Sequence, residues 1–307
     1  MAVAFSWFGV LARMVTPQPW QCVPTLEAIS VAGLRFGPGG VPRSAQKPST
    51  KEGIRRCKEL GLGCMEMEFV QRVSMGEETA KEVAVVAAAE DVVLSSHAPY
   101  YVNLNSAEEQ KATDSVKRVM QAARITALCG GTGTVFHAAF YQQTPRDEVY
   151  AKVKASLEQM AATLRAEGFN VLLRPETTGK ESQFGTVDEL LRLSTEVPGV
   201  LPCVDFSHLH ARSGGAYNSY DEFLGVLQKI EEVLGRPGLE RMHIHVSGIE
   251  YTAKGERKHL NLQESDLKYT DLMRALKDMK VAGTLVVESP ALEDDALLLQ
   301  ETYARVS

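Results

Sequence analysis

The chain has 307 residues, 44% hydrophobic and 23% charged, the proportions of an ordinary soluble protein large enough to bury a substantial core. Its formal net charge of −6 argues against a protein that grips nucleic acid through bulk positive charge, although carboxylates that ligate metal count as negative here until the cation arrives. No stretch reaches the ~18 consecutive apolar residues of a membrane span. The five cysteines (Cys22, Cys57, Cys64, Cys129 and Cys203) form no C-x-x-C pair, so free buried thiols in a reducing cytoplasm are expected.

Residues 1–33 stand apart. They hold Trp7, Trp20, Pro17, Pro19 and Pro24 and show no repeating element. The apolar start MAVAFSWFGVLARMV lacks a basic leading segment and a clear cleavage site, so a signal peptide is not expected. An extension packed on the main domain, a disordered tail and a later true start such as Met14 all remain open.

From Leu34 the pattern alternates. The apolar runs LRFG (34–37), CMEMEF (64–69), VVLSSH (92–97), GTVFHA (133–138), VLLRPE (171–176), LPCVDF (201–206), MHIHVS (242–247) and TLVVES (284–289) read as strands, with helices between them. Ser49-x-x-Glu52, Ser106-x-x-Glu109, Thr186-x-x-Glu189 and Ser219-x-x-Glu222 fit helix-starting capping boxes. Phe223, Val226, Leu227, Ile230, Val233 and Leu234 fall at helical spacing and predict a core-facing stripe. Eight βα units point to an α/β fold, a closed (β/α)8 barrel spanning 34–307, with an open doubly wound sheet as the rival. The dinucleotide fingerprint and the P-loop are absent, and GGTGT (130–134) precedes a strand, so it ends a helix.

All seven histidines lie between positions 97 and 259. His97 ends the third run, His137 and Glu176 end the fourth and fifth, Asp205 ends the sixth with His208 three residues on, His243 sits in the seventh, and Glu288 ends the eighth. Barrel active sites are built at the C-terminal ends of the strands, so these groups should converge. A single histidine is more often a hydrogen-bonded core residue, and Asp205 with His208 could simply cap a helix. Six consecutive strands delivering such groups to one rim is different, because burying them unpaired would cost several kcal/mol per charge. A nitrogen and oxygen donor set favours zinc, with manganese or iron behind it, and exceeds what one ion needs. Two ions bridged by a carboxylate follow, an arrangement suited to in-line displacement at phosphorus. His245, one layer beyond His243, and His210 are expected to support ligands or lie at the surface. Glu66 and Glu68 share a face by the period of two, and are expected inside the barrel, paired with Arg35 or Arg174.

The runs SSHAPYYVNL, VFHAAF, LRPETTG, CVDFSHLHARSGG, MHIHVSGIE, RKHLNLQES and VVESP resemble the endonuclease IV family of AP endonucleases, within the xylose-isomerase-like barrels, and most of all a divergent archaeal-type branch. The resemblance runs from about Leu34 to the C-terminus. It implies a zinc enzyme with three ions that cuts damaged double-stranded DNA 5′ to an abasic site, the lesion flipped from the stack. His97 and His137 would hold one ion and Glu176 would bridge to a second, completed by Asp205, His243 and Glu288. His208 and His259 would bind the third, and Tyr100 and Asn103 would contact DNA. The family's third ion uses an Asp-x-His pair, where this chain reads Arg257-Lys258-His259. Arginine cannot ligate a metal. The third ion is therefore lost, or held with another group such as Glu256, or replaced by the Arg257 guanidinium clamping a phosphate. For Arg257 and Lys258 a solvated charged loop, KGERKH, weighs equally. The following glycines are also changed, to Gln263 and Ser265.

The expected chemistry is phosphodiester hydrolysis with Glu176 at its centre, in a monomer, with zinc at two sites and manganese as the alternative metal. One rival is a sugar isomerase or epimerase with one divalent metal held mainly by carboxylates. The other is a non-catalytic metal-containing module that holds damaged nucleic acid.

Overall fold

A computed structural model describes residues 33–306. Except for Gly33, the question raised by residues 1–33 lies outside the described residues, as does Cys22. The elements in order are β1 (Leu34–Pro38), α1 (Thr50–Glu59), β2 (Cys64–Glu68), α2 (Glu77–Glu90), β3 (Val93–His97), α3 (Glu109–Leu128), β4 (Gly133–Phe136), α4 (Arg146–Ala166), β5 (Leu172–Pro175), α5 (Val187–Glu196), β6 (Cys203–Asp205), α6 (Phe206–Arg212), α7 (Tyr220–Leu234), α8 (Arg236–Glu240) and β7 (Met242–Val246). A hairpin of β8 (Gly248–Thr252) and β9 (Gly255–Leu260) follows, then α9 (Tyr269–Asp278), β10 (Gly283–Val287) and α10 (Glu293–Arg305).

The eight apolar runs all become parallel staves. They form two arcs, β1-β10-β7-β6 and β2-β3-β4-β5. Single bridges close the seams, Gly39 to Glu66 on one side, Leu173 to Val200 and Glu176 to Cys203 on the other. The first seam is tight: a Cβ on Gly37 would lie 1.8 Å from the Cys64 carbonyl oxygen, so only glycine lets β1 approach β2 this closely. The result is a TIM barrel, closed by helices that bury their apolar stripes on it. On α7 that stripe is Phe223, Val226, Leu227, Ile230 and Leu234, with Val233 only partly buried at its edge.

Two of the four expected helix starts follow their capping chemistry and two do not. Thr186 and Glu189 make a full reciprocal box on α5, and Ser49 caps α1. Ser219 Oγ instead donates to Glu222 Oε2 at 2.6 Å. Ser106 does not cap α3, which begins at Glu109 after Glu108; the Ser106 hydroxyl accepts from Glu108 N in a local turn. Gly130, at φ +71°, follows α3 where the glycine-rich stretch was expected to end a helix. Cys57, Cys64, Cys129 and Cys203 are free and buried. Among the described residues no helix is long and apolar enough to cross a membrane.

This topology places one rim under the C-terminal ends of all eight staves. The hairpin β8-β9 is not a stave; it leaves the barrel after β7 and folds back over that rim, where Glu256 N donates to Gly179 O at 2.9 Å.

Candidate metal centre

Among the described residues five groups of donor atoms are each compact enough for a shared ion; Cys203, His243 and His245 make one, Glu66, Glu68 and Glu288 another, and three combine histidine with carboxylate at the rim. These three are His97, His137 and Glu176; Glu176, Asp205, His245 and Glu288; and His208, Glu256 and His259, with the donor atoms of each group within 4.8 Å of one another. Glu176 belongs to two of them and divides its oxygens between them. Its Oε2 lies 3.3 Å from His97 Nε2 and 3.0 Å from His137 Nε2. Its Oε1 lies 3.4 Å from His245 Nδ1, which is also 3.4 Å from Glu288 Oε1. His208 joins the third group to this pair, with Nδ1 3.1 Å from Glu176 Oε1 and Nε2 3.5 Å from Glu256 Oε2.

Three of the rings are aimed by backbone carbonyls, which can only accept. Nδ1 donates from His97 to Ala98 O at 2.7 Å, from His208 to Thr177 O at 2.9 Å and from His259 to Glu288 O at 3.0 Å. In each the lone pair of Nε2 is left facing the site, the arrangement typical of metal-ligating histidines.

The structure corrects the place of His243. It lies deeper in the barrel, with Nδ1 2.7 Å from Thr284 Oγ1 and Nε2 2.9 Å from Glu66 Oε2. His245, not His243, stands beside Glu176 and Glu288. Both face inward by the period of two, but a strand rises about 3.3 Å per residue, so His245 is roughly 6.6 Å nearer the rim. Glu66 is also paired differently from expectation: it takes the two histidines and Ser95, while Arg35 pairs with Asp91 and Arg174 donates to the carbonyls of Pro202 and Arg241.

The hairpin decides the fate of Arg257. In a regular strand Arg257 and His259 would share a face. The register shifts at Glu250 and Tyr251, so that Glu250 opposes Lys258 and Tyr251 opposes Glu256. The extra residue turns Glu256 onto the side of His259 and sends Arg257 outward. Arg257 and Lys258 both pair with Glu250, away from the donor groups. Tyr100 is exposed, its ring edge-on to His97 at 5.4 Å. The Asn103 side-chain oxygen Oδ1 accepts from Asn105 N and Phe140 N, bracing the loops after β3 and β4. His210 lies outside the site, between Ala216 O and Asp266 Oδ1.

The buried atoms left without hydrogen-bond partners include Glu176 Oε1, Asp205 Oδ2, His208 Nε2, both ring nitrogens of His245 and both carboxylate oxygens of Glu68. Orphans of this kind cost free energy unless something satisfies them. Burial opposes ionisation of Glu176, yet His137, His245 and His208 hold it well below the usual carboxylate range. Burial likewise opposes the charge on His97, but Glu176, Glu68 and Glu288 outweigh it and raise its pKa to about 10. Burial pushes Asp205 up to about 6 against the pull of His208. The donors fit divalent cations: nitrogen with carboxylate oxygen, orphaned, convergent and held by neighbouring hydrogen bonds. Zinc suits this set better than magnesium or calcium.

The sequence signature of the xylose isomerase-like TIM barrel family matches residues 54–304. An uncharacterized protein of Methanocaldococcus jannaschii is 45% identical over 270 residues, 88% of this chain and 97% of its own length. A probable endonuclease 4 of Symbiobacterium thermophilum is 25% identical over 258 residues, covering 80% of this chain and 91% of its own. Among solved structures, endonuclease IV from Thermus thermophilus superposes with a TM-score of 0.64 at 19% identity, over 89% of this chain and 98% of that one. A D-tagatose 3-epimerase-like protein superposes equally well, with a TM-score of 0.66 at 16% identity over 87% and 94%. The fold is common to both, and the chain belongs to the xylose isomerase-like TIM barrel family.

Proposed function

We propose that this chain is a metal-dependent phosphodiester hydrolase that incises double-stranded DNA 5′ to abasic sites. The observation that carries the reading is Glu176, which presents one oxygen to the His97–His137 group and the other to the His245–Glu288 group, with His208 of a third group alongside. One ion needs no such shared carboxylate. His97, His137 and Glu176 would hold one ion, Glu176, Asp205, His245 and Glu288 a second, and His208, Glu256 and His259 a third. Zinc bound there, or manganese, supplies an activated water and neutralises charge on the phosphate.

The protein's own contribution is placement. Glu176 orients the attacking water between the two groups it links. The carbonyl-anchored rings of His97, His208 and His259 keep the donors fixed while charge moves, so little reorganisation is needed. Tyr100, exposed beside His97, offers an aromatic face to a nucleotide lifted from the stack. The relation to a probable endonuclease 4 supports the choice of DNA.

The test is incision of a duplex bearing one abasic analogue, with zinc or manganese supplied. Cutting immediately 5′ to the analogue is expected. A folded, metal-loaded protein that leaves the duplex intact would refute the DNA-repair reading.

A second reading rests on one group alone. Glu176, Asp205, His245 and Glu288 give three carboxylates and one histidine around a single position, the composition a one-metal sugar epimerase would use. About one ion per chain, with no incision, would favour it.

A further inference from the structure

His245 is held differently from its neighbours. His97, His208 and His259 are each anchored by a backbone carbonyl. The Nε2 of His245 instead lies 2.9 Å from Glu66 Oε1, while its Nδ1 faces Glu176 and Glu288. The contact is an ion-pair approach, and neither Glu66 Oε1 nor His245 Nε2 makes a hydrogen bond. Glu66 is itself fixed from its other oxygen. Oε2 accepts from Ser95 Oγ at 2.6 Å and from His243 Nε2 at 2.9 Å, and His243 is secured in turn by Thr284. Glu66 and His245 are fully buried, and Ser95, His243 and Thr284 nearly so. A line of side chains thus runs from the barrel interior up to the donor groups: Thr284, His243, Glu66, His245.

A carboxylate on the far nitrogen of an imidazole fixes the tautomer and ring angle and strengthens the near nitrogen as a ligand. We propose that Glu66 is a positioning residue for the metal centre: it holds Nδ1 of His245 toward Asp205, Glu176 and Glu288, so that one ion depends on a carboxylate that does not touch it. This gives the second strand a role beyond that of a buried ion pair. His243 serves as the clamp that keeps Glu66 from turning away. The proposal rests on the metal reading above.

The experiment uses the full chain, stripped with a chelator and titrated with Co2+ against a competing chelator, following the visible absorption of the bound ion. The wild type is titrated first. If it takes up no Co2+, the metal reading itself fails, and this proposal with it. If it does, Glu66→Gln is expected to weaken one ion about 10–100-fold and alter its spectrum, while an ion at His97 and His137 is retained. Unchanged affinity and spectrum overturn the proposal, and so does an equal loss at every site, which a merely structural role would give. Should Glu66→Gln fail to fold, Ser95→Ala decides. It keeps the carboxylate but removes one anchor, and is expected to weaken the same ion several-fold; no change there overturns the proposal as well.

Discussion

His208 Nε2 and Glu256 Oε2 lie 3.5 Å apart, one carried by the barrel and the other by the hairpin folded over it. The third donor group therefore forms only because the hairpin docks, and it draws its carboxylate from position 256 where the sequence resemblance looked to 257. Glu256→Ala should lower the number of tightly bound zinc ions by one and reduce incision by about 10²-fold or more. Arg257→Ala should leave metal content unchanged, because the guanidinium points outward onto Glu250. Elemental analysis of the two purified variants checks both expectations. A lost ion in Arg257→Ala would show that the hairpin register is wrong.

The same group makes a prediction about a glycine. A Cβ on Gly179 would meet Glu256 Cβ at 2.6 Å and Glu256 Oε2 at 2.8 Å, with His208 Cδ2 at 3.1 Å. None of these can move freely, since Glu256 N is bonded to Gly179 O. Gly179→Ala should push the hairpin off the rim, cost about 1–3 kcal/mol of stability and lose the same ion as Glu256→Ala. Thermal unfolding with metal analysis measures both, and faster proteolysis within residues 248–260 would report the displaced hairpin.

Thr186→Ala serves as a contrast, because the Thr186 hydrogen bonds run to Glu189 and to none of the donor groups. Thr186 Oγ1 accepts from Glu189 N while Glu189 Oε2 accepts from Thr186 N, satisfying backbone donors at the start of α5. Its loss should lower stability by about 1 kcal/mol and leave metal content and incision as they are. Chemical denaturation beside metal analysis separates this outcome from a change at the site.

Much of this was legible from residue order. Apolar runs alternating with helical stripes fix eight staves, and a residue at the end of a stave is bound for the rim, which is why His97, His137, Glu176, Asp205 and Glu288 could be named. What failed was depth and parity. His243 and His245 share a face in the sequence pattern, and only the barrel's layering, with Glu66 waiting beneath, tells which one reaches the rim. Glu256 was one of several substitutes the sequence offered for the missing ligand; what selects it is one extra residue in β9 that reverses which side chains face inward, and no spacing rule announces it. The hairpin itself read as a charged loop because its strands carry Glu250, Glu256, Arg257 and Lys258 and few apolar residues.

Glu176→Gln probes the shared carboxylate. The amide keeps the shape but loses the charge and one acceptor oxygen, so one of the two groups loses a ligand and both lose the bridging charge. Turnover should fall by at least about 10²-fold, with weaker retention of two ions against a chelator. Binding of abasic duplex should be retained in part, through surfaces outside the donor groups. If the variant cuts as well as the wild type, Glu176 is not the bridge.

The chelated protein should lose stability with rising pH faster than the loaded one. Burial, with the charges of Glu66 and Glu288, raises Glu68 from 4.5 to about 8 against the pull of His97, and His97 itself rises from 6.5 to about 10. Both groups bind protons more tightly folded than unfolded. Their contribution to stability is thus complete at low pH, below the unfolded values, and is lost as pH climbs through about 8 and about 10. Glu176 and Glu288, held low, act only on the acid side, where their contribution disappears as pH falls below the ordinary 4.5. His243, lowered from 6.5 to about 4 by burial, acts oppositely below pH 6.5, so it is between about pH 7 and pH 9 that the unfolding temperature of the chelated chain should fall. Metal ligation needs ionised carboxylates and neutral imidazoles, so zinc binds more tightly as pH rises over the same range. The gap in unfolding temperature between loaded and chelated protein should therefore widen with pH, and calorimetry at matched ionic strength measures it directly. A gap that narrows with pH would mean the orphaned donors at this rim are not metal ligands.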